Sequence, residues 1–327
     1  MHTIEELQSR ISGEINNEIF RLTEKTPANL YAPIAYALSM GGKRLRPVMV
    51  VLSYNLFRNN IERAFPAAIA IEVFHNFTLL HDDIMDRAEM RRNRLSVYKK
   101  YTDNIAILSG DDMSIMACNY LLQGNYEAFE PMMRLFSQTA LEVCEGQQFD
   151  MDFESRMDVS IQEYMNMIRL KTAVLLACSL KLGALAANAP VQTADLIYVF
   201  GLNLGIAFQL QDDLLDVFAV QDKFGKMIGG DIISNKKTFL LLKALELAES
   251  NTKKTLHGWI SKKDFDRAEK IEIITNIYKE LNIKSITESC MNEFYQSALT
   301  VLEEIDMTPS SKSELFRLAG LIMDRDH

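Results

Sequence analysis

Cysteine and proline are scarce in this chain, and no window approaches the roughly 18 uninterrupted apolar residues that a membrane-crossing helix needs. The four cysteines, Cys118, Cys144, Cys178 and Cys290, are widely scattered, with no CxxC pair and no histidine at zinc-finger spacing. They read as reduced, mostly buried thiols. Positive charge is in deficit: 35 Lys and Arg face 44 Asp and Glu, for a formal net charge of -9. That argues against a nucleic-acid surface or an anionic membrane as partner. The stretch MHTIEELQSR is polar and acidic, unlike a signal peptide, so a cytoplasmic protein without stable membrane insertion is expected. The overall field repels anions. A phosphate site must therefore be built from local basic clusters, and two exist, Lys43 to Arg46 and Arg91 to Arg94.

The seven prolines leave long stretches in which apolar residues recur at helical spacing. PAAIAIEVFHNFTLLHDDIMD, MNMIRLKTAVLLACSLKLGALAA and ADLIYVFGLNLGIAFQLQDDLLD are long, and rich in Leu, Ala and Met, as buried helices are. No alternating run bounded by turn signals argues for a sheet. The expected fold is an all-α bundle of long helices in a single domain over residues 1–327. Breaks are expected near SMGGKRLRP, RAEMRRNRLS, GQQFDMDFESRMD and QDKFGKMIGGDIISNKKT. The charged region from Asn251 onward reads as scaffold, with Ser or Thr of TPSSKSEL capping a last helix.

Two acidic motifs are the strongest signal: DDIMD at Asp82, Asp83 and Asp86, and DDLLD at Asp212, Asp213 and Asp216. On a helix, residues i and i+4 share a face, so Asp82 meets Asp86 and Asp212 meets Asp216. Such pairs repel unless cations neutralise them, and hard carboxylate oxygens select Mg²⁺ or Mn²⁺. Mg²⁺ takes one or two carboxylates and completes its shell with water and phosphate oxygens, which makes a diphosphate the natural third party. A solvated helix end explains one such motif well, but two, each preceded by an apolar helix, require the same accident twice.

GGKRLRP sets Lys43, Arg44 and Arg46 beside two glycines, a flexible backbone suited to diphosphate capture. His75 precedes Asp82 by seven residues, two turns away on almost the same face. Lys171 and Thr172 sit within the apolar run IRLKTAVLLACSL, where a lysine wants an anion. Gln209 lies three residues before Asp212, on a neighbouring part of that face.

These motifs, with GGKRLRP ahead of the first and FQLQDD leading into the second, resemble the trans-prenyl diphosphate synthase family over most of the chain. The resemblance implies helices around a central cavity, Mg²⁺ dependence and a homodimer. It implies condensation of isopentenyl diphosphate with an allylic diphosphate (dimethylallyl, geranyl or farnesyl) by ionisation, attack by the double bond and proton loss to pyrophosphate. By the same resemblance Lys43, Arg46, His75 and Arg92 hold the diphosphate of isopentenyl diphosphate. Arg91, Lys171, Lys226 and Lys236 hold the allylic one, Thr172 and Gln209 present oxygens to the reacting carbon, and Asp231 orients its loop. The sequence departs from the family at Asn93, Leu95 and Ser96, where Gly, Pro and Thr are usual; Asn tolerates the left-handed turn that Gly would serve.

The prenyl tail should run from the metals back along the helix toward Phe77 and Phe74, which flank the aspartate face while small Thr78 lies nearly beneath Asp82. That predicts early termination, in line with the family pattern of an aromatic five residues before the first motif, and a product of fifteen to twenty carbons, leaning to twenty. The competing readings are a longer-chain synthase, a terpene cyclase, which needs no second diphosphate site, and an inactive regulatory subunit of another synthase.

Overall fold

The computed structural model describes residues 2–219 and 229–323. Ten helices carry the argument: α1 (Ile4–Thr23), α2 (Ala28–Ser39), α3 (Leu45–Asn55), α4 (Phe65–Met85), α5 (Val97–Lys100), α6 (Asp103–Gln123), α7 (Phe129–Ser155), α8 (Ile161–Ile168), α9 (Val174–Ala186) and α10 (Val191–Phe218). The remaining helices include Gly230–Ser234, Phe239–Leu247, Arg267–Glu280 and Pro309–Met323. The fold is all-α, as the helical spacing of the apolar residues requires. The chain falls into two compact units, Met1–Ser137 with Cys178–Tyr198 and Asp306–Glu314, and Gln138–Ala177 with Val199–Ile305 and Leu315–His327.

In the first unit α4 is the central element. Pro66 stands in its first turn, where a missing N–H costs nothing, and Ala67, Ala68, Ile69, Ala70, Ile71 and Val73 are all buried. The small residues admit α6 and α3 closely, and each large one removed from water contributes about 1.5–3 kcal/mol. α1 begins with a capping box between Thr3 and Glu6. Thr308 caps the last helix by accepting from the Ser311 N–H at 3.3 Å.

In the second unit Phe153, Tyr164, Ile168, Leu210 and Phe239 form one core cluster and Leu214, Ile232, Leu240, Ile274 and Tyr278 belong to another. α8 starts with a capping box between Ser160 and Glu163. It does not pass smoothly into α9: residues Arg169–Ala173 form a wider π-turn, in which the Val174 N–H reaches the Arg169 carbonyl five residues back.

Three sequence expectations are corrected. A two-stranded hairpin exists, Met90–Arg91 with Arg94–Leu95, too short for any alternation to register. α7 runs straight through GQQFDMDFES, because Gly146 there serves a close packing contact rather than a turn. The four cysteines are free, yet only Cys178 is buried and Cys144 is exposed. By length and composition α10 alone among the described helices could cross a membrane, its polar residues being too few to lower its mean hydropathy; Ala194, Ile197, Phe200, Leu204, Ala207 and Leu210 along it are nonetheless buried in the protein's own core.

Candidate active site

In the first unit the acidic motif closes α4. Asp82 is half-buried, and Asp86 is the exposed C-cap, its N–H donating to the Asp82 carbonyl at 2.8 Å. Asp83 points elsewhere. It is 2% exposed and accepts from Arg91 Nε at 2.9 Å and Nη2 at 2.5 Å. Burial raises its pKa, and the Arg91 guanidinium opposes that rise. Asp83 ends a buried polar stripe on α4 with Glu72 and Asn76, four and eleven residues being whole turns. Asn76 Nδ2 donates to Glu72 Oε1 at 2.7 Å, and Arg44 pairs with Glu72 and the Leu38 carbonyl. Arg44 is thus spent on the protein, while Lys43 is exposed.

Arg46 Nη1 lies 3.2 Å from His75 Nε2. A guanidinium only donates, so Nε2 accepts and the ring proton sits on Nδ1. Burial drives the His75 pKa well below its ordinary value, and the fields of Arg46, Arg92, Arg91 and Arg44 push the same way. His75 is therefore a neutral donor among four cations. Arg92 and Asn93, at φ of 51° and 60°, form the two-residue turn of the hairpin, both left-handed as a type I′ turn demands. The turn swings Arg92 over Gly42, where a Cβ would sit 2.7 Å from the guanidinium carbon, and onto the Gly41 carbonyl. Glycine is needed there because Gly42 stands at φ 119°, a backbone conformation that L side chains rarely adopt. Burial lowers the Arg92 pKa, as do its neighbours Arg44 and Arg91, against the pull of Glu72.

The three residues expected to govern product length separate by environment. Phe74 is buried, its ring edge-on to Phe136 at 5.1 Å. Phe77 is half-buried between Phe74 at 5.4 Å and His81 at 4.8 Å. Thr78 donates its hydroxyl to the His75 carbonyl at 2.8 Å.

In the second unit the motif lies on α10. Asp212 and Asp216 are half-buried, whereas Asp213 is 3% exposed and accepts from the Tyr164 hydroxyl at 2.5 Å and Gln209 Nε2 at 3.1 Å. Burial and the field of Asp231 push its pKa up to about 7, against the Tyr164 bond, Lys236 and Gln209. Gln209 therefore serves Asp213, one turn on, rather than the face of Asp212. Its Oε1 accepts from Thr172 Oγ1 at 3.0 Å. Asp216 Oδ2 accepts from the Asp231 N–H at 2.9 Å, and the Asp231 carbonyl accepts from the Lys236 N–H at 2.9 Å. Lys226 lies outside the described residues.

The anion that Lys171 wants is Asp150, 2.6 Å from Nζ. Burial alone would raise the Asp150 pKa, but Lys236 and Lys171 together hold it below the ordinary carboxylate value. The π-turn that presents Lys171 and Thr172 is pinched by glycine contacts. A Cβ on Gly146 of α7 would fall 2.3 Å from the Lys171 nitrogen, and one on Gly205 of α10 would fall 2.6 Å from Ala173 Cα. From the region read as scaffold, buried Lys270 reaches the Ile233 carbonyl at 3.2 Å and Asn235 Oδ1 at 2.7 Å, bracing the loop of Lys236. Asp150, Tyr164 and Lys270 were missed by sequence reasoning. A lysine on the apolar face of its helix was the available signal for the last.

In both units, then, the middle aspartate of the motif is buried on side-chain donors, while the aspartates on either side of it are half-buried or exposed. The Polyprenyl synthetase family matches residues 27–278. The chain is similar to a geranylgeranyl diphosphate synthase from Sulfolobus acidocaldarius, 36% identical over 94% of this chain and 92% of that one. It is also similar to a geranylfarnesyl diphosphate synthase from Natronomonas pharaonis, 38% identical over 71% of this chain and 74% of the other. A crystal structure of a geranylgeranyl pyrophosphate synthase superposes with a TM-score of 0.94 at 42% identity, covering 99% of both chains. The chain belongs to the polyprenyl synthetase family, and its chemistry is that of a prenyltransferase.

Proposed function

We propose that this prenyltransferase condenses isopentenyl diphosphate with an allylic diphosphate into an all-trans prenyl diphosphate of fifteen to twenty carbons, leaning to geranylgeranyl diphosphate. The observation that carries the reading is the division within each acidic motif. An inner aspartate is buried on side-chain donors, while of the outer pairs Asp86 is exposed and Asp82, Asp212 and Asp216 are half-buried.

Mg²⁺ or Mn²⁺ suits this donor set. Among the described residues no three His, Cys, Asp or Glu side chains gather into a complete cage, and Mg²⁺ binds through one or two carboxylates plus water and phosphate oxygens. When bound, the ions supply Lewis-acid neutralisation of the charge that builds on a departing diphosphate. Lys43, Arg46 and Arg92, with His75 donating from Nδ1, bind the diphosphate of isopentenyl diphosphate. Arg91, with one edge on Asp83, binds the allylic diphosphate with Lys171, Lys236 and Lys226. Asp150 aims Lys171 in advance, so its charge needs no reorientation as the carbon–oxygen bond breaks. Thr172 and Gln209 turn oxygens toward the allylic carbon. The new carbon–carbon bond then forms, and the proton lost from the condensed product passes to the departing pyrophosphate, so no side chain need be a strong base.

The same reading takes the protein as a homodimer. Leu108, Ile115 and Leu122, seven residues apart on α6 and 60%, 60% and 55% exposed, support it as an apolar stripe for a second copy. It also takes the chain as cytoplasmic, supported by four free cysteines. The test is turnover with isopentenyl diphosphate, Mg²⁺ and each primer in turn, with products resolved by length. A twenty-carbon linear diphosphate is expected. Products of twenty-five carbons or more mark a longer-chain synthase, a cyclic hydrocarbon marks a cyclase, and no turnover marks a regulatory subunit.

A further inference from the structure

We propose that Tyr164 is a positioning residue for prenyl transfer: its hydroxyl, acting through Asp213 and Gln209, fixes the direction in which Thr172 presents its oxygen. The inference deepens the function proposed above and rests on it.

Tyr164 is buried on α8, its ring tilted against Phe239 with centroids 6.5 Å apart. Packing needs the ring, not the hydroxyl. The hydroxyl donates to Asp213 Oδ2, and that is its one hydrogen bond among the described residues. Burial, and then the charge of Asp213, hold the phenol well above its ordinary pKa, so it remains a donor at working pH. With Oδ2 occupied, Oδ1 accepts Gln209 Nε2 at 3.1 Å. An amide is planar and two-ended, so once Nε2 is committed to Asp213, Oε1 must face the other way. There it accepts the hydroxyl proton of Thr172 at 3.0 Å.

Thr172 owns a single proton, and this chain assigns it to Gln209. The lone pairs of Oγ1 are left to face outward, the polarity that stabilises positive charge growing on an allylic carbon. Without the tyrosine hydroxyl, Asp213 Oδ2 has no donor among the described residues, so the carboxylate can turn about its own bond and no longer holds the amide of Gln209 against its flip. A flipped amide offers N–H to Thr172, whose hydroxyl then accepts and turns its proton outward. That reversed dipole opposes the cation.

The test is steady-state kinetics of Tyr164→Phe, Thr172→Val and the double variant. Tyr164→Phe should lower kcat by about tenfold or more while both KM values stay within about twofold, because the two diphosphates are held elsewhere. Because Tyr164 acts through Thr172, the double variant should lose no more than Thr172→Val alone, whereas independent sites multiply their losses. Gln209→Glu interrupts the same chain at another link and should show the same non-additivity with Thr172→Val, which keeps the test valid if Tyr164→Phe fails to fold. An active wild type with unchanged kcat in folded Tyr164→Phe overturns the inference and leaves the function standing. So does multiplication of the losses, or a loss confined to KM. A wild type that does not turn over isopentenyl diphosphate with any primer overturns both.

Discussion

In the first motif the inner aspartate is held by a guanidinium from the short hairpin; in the second it is held by a phenol from α8 and an amide one turn back on its own helix. Both carboxyls are raised by burial, but a cationic partner opposes the rise at Asp83, whereas Asp213, with neutral partners and Asp231 nearby, goes to about 7. The same five-letter pattern thus serves two ends. The first unit fixes charge, gathering Arg44, Arg46, Arg91 and Arg92 around a neutral histidine. The second fixes direction, passing orientation from Tyr164 to Thr172 while Asp150 aims Lys171. Identical sequence motifs need not have identical inner chemistry, because the partner on the next element decides it.

The strongest break in that comparison lies between the outer and inner aspartates. Asp82→Ala and Asp212→Ala should each lower turnover by about 10³-fold or more, on the scale of losing a transition-state charge stabiliser. Their melting temperatures without Mg²⁺ should hold or rise, since each removes an i,i+4 repulsion. Near-normal turnover in either variant would remove the metal assignment. The inner residues should differ from each other in stability. Asp83→Asn strips Arg91 of its counter-charge and should cost about 3 kcal/mol in urea titrations, while Asp213→Asn replaces a carboxyl already held by neutral groups and should cost about 1 kcal/mol. Equal costs would erase the distinction between the motifs.

The two diphosphate sites should separate next. Lys43→Ala and Arg46→Ala should raise the KM for isopentenyl diphosphate by about tenfold, and Lys171→Ala and Lys236→Ala should do so for the allylic primer. Equal effects on both substrates in initial-rate measurements would contradict the division. Phe77→Ala, at a half-buried position of the first unit, should shift the product by about one five-carbon unit on chromatography. Phe74→Ala should instead cost about 3 kcal/mol of stability, because that ring is buried against Phe136. An unchanged product from an active Phe77→Ala enzyme would assign length control elsewhere. The smallest effect concerns His75. Its folded-state pKa lies below the unfolded value of about 6.5, so its contribution to stability is full above that pH and is lost as pH falls toward the folded value. Between pH 7 and 5.5 the wild type should lose stability more steeply than His75→Gln, and matching slopes would mean the ring is not held neutral.

The bundle and the outer aspartates were legible because both follow the helical period, which repeated acids in apolar helices make conspicuous. The hairpin was not, since two residues per strand carry no period. The inward turn of Asp83 was legible only in hindsight, through Glu72 and Asn76 lying whole turns away; a lone aspartate beside two others gives no sign of its direction. Gln209 stands one turn from Asp213 and less than one from Asp212, and only the position of Tyr164 on another helix resolves which it serves. Asp150 was hidden by its neighbours, because Gly146 and the polar residues after it look like a loop when the close packing that requires the glycine is not in view.

The π-turn at Arg169–Ala173 has a consequence for how such a chain can change length. The run from Ile161 to Ala186 holds one residue more than an unbroken α-helix would need to cover the same rise, so removing one position there leaves both ends capped and the rod straight. What it cannot leave intact is the wide turn itself: the π-turn absorbs the roughly 100° that its extra residue would otherwise add, so the flanking helices keep their phase while the residues of the turn are re-aimed. Lys171 and Thr172 would then leave Asp150 and Gln209, while the buried side chains of α9 remained in place. A single-codon deletion at this point is the smallest genetic change that should leave a well-folded protein unable to transfer a prenyl group, and its reversal by reinserting any small residue would locate the lost activity in the shape of the turn rather than in side-chain identity.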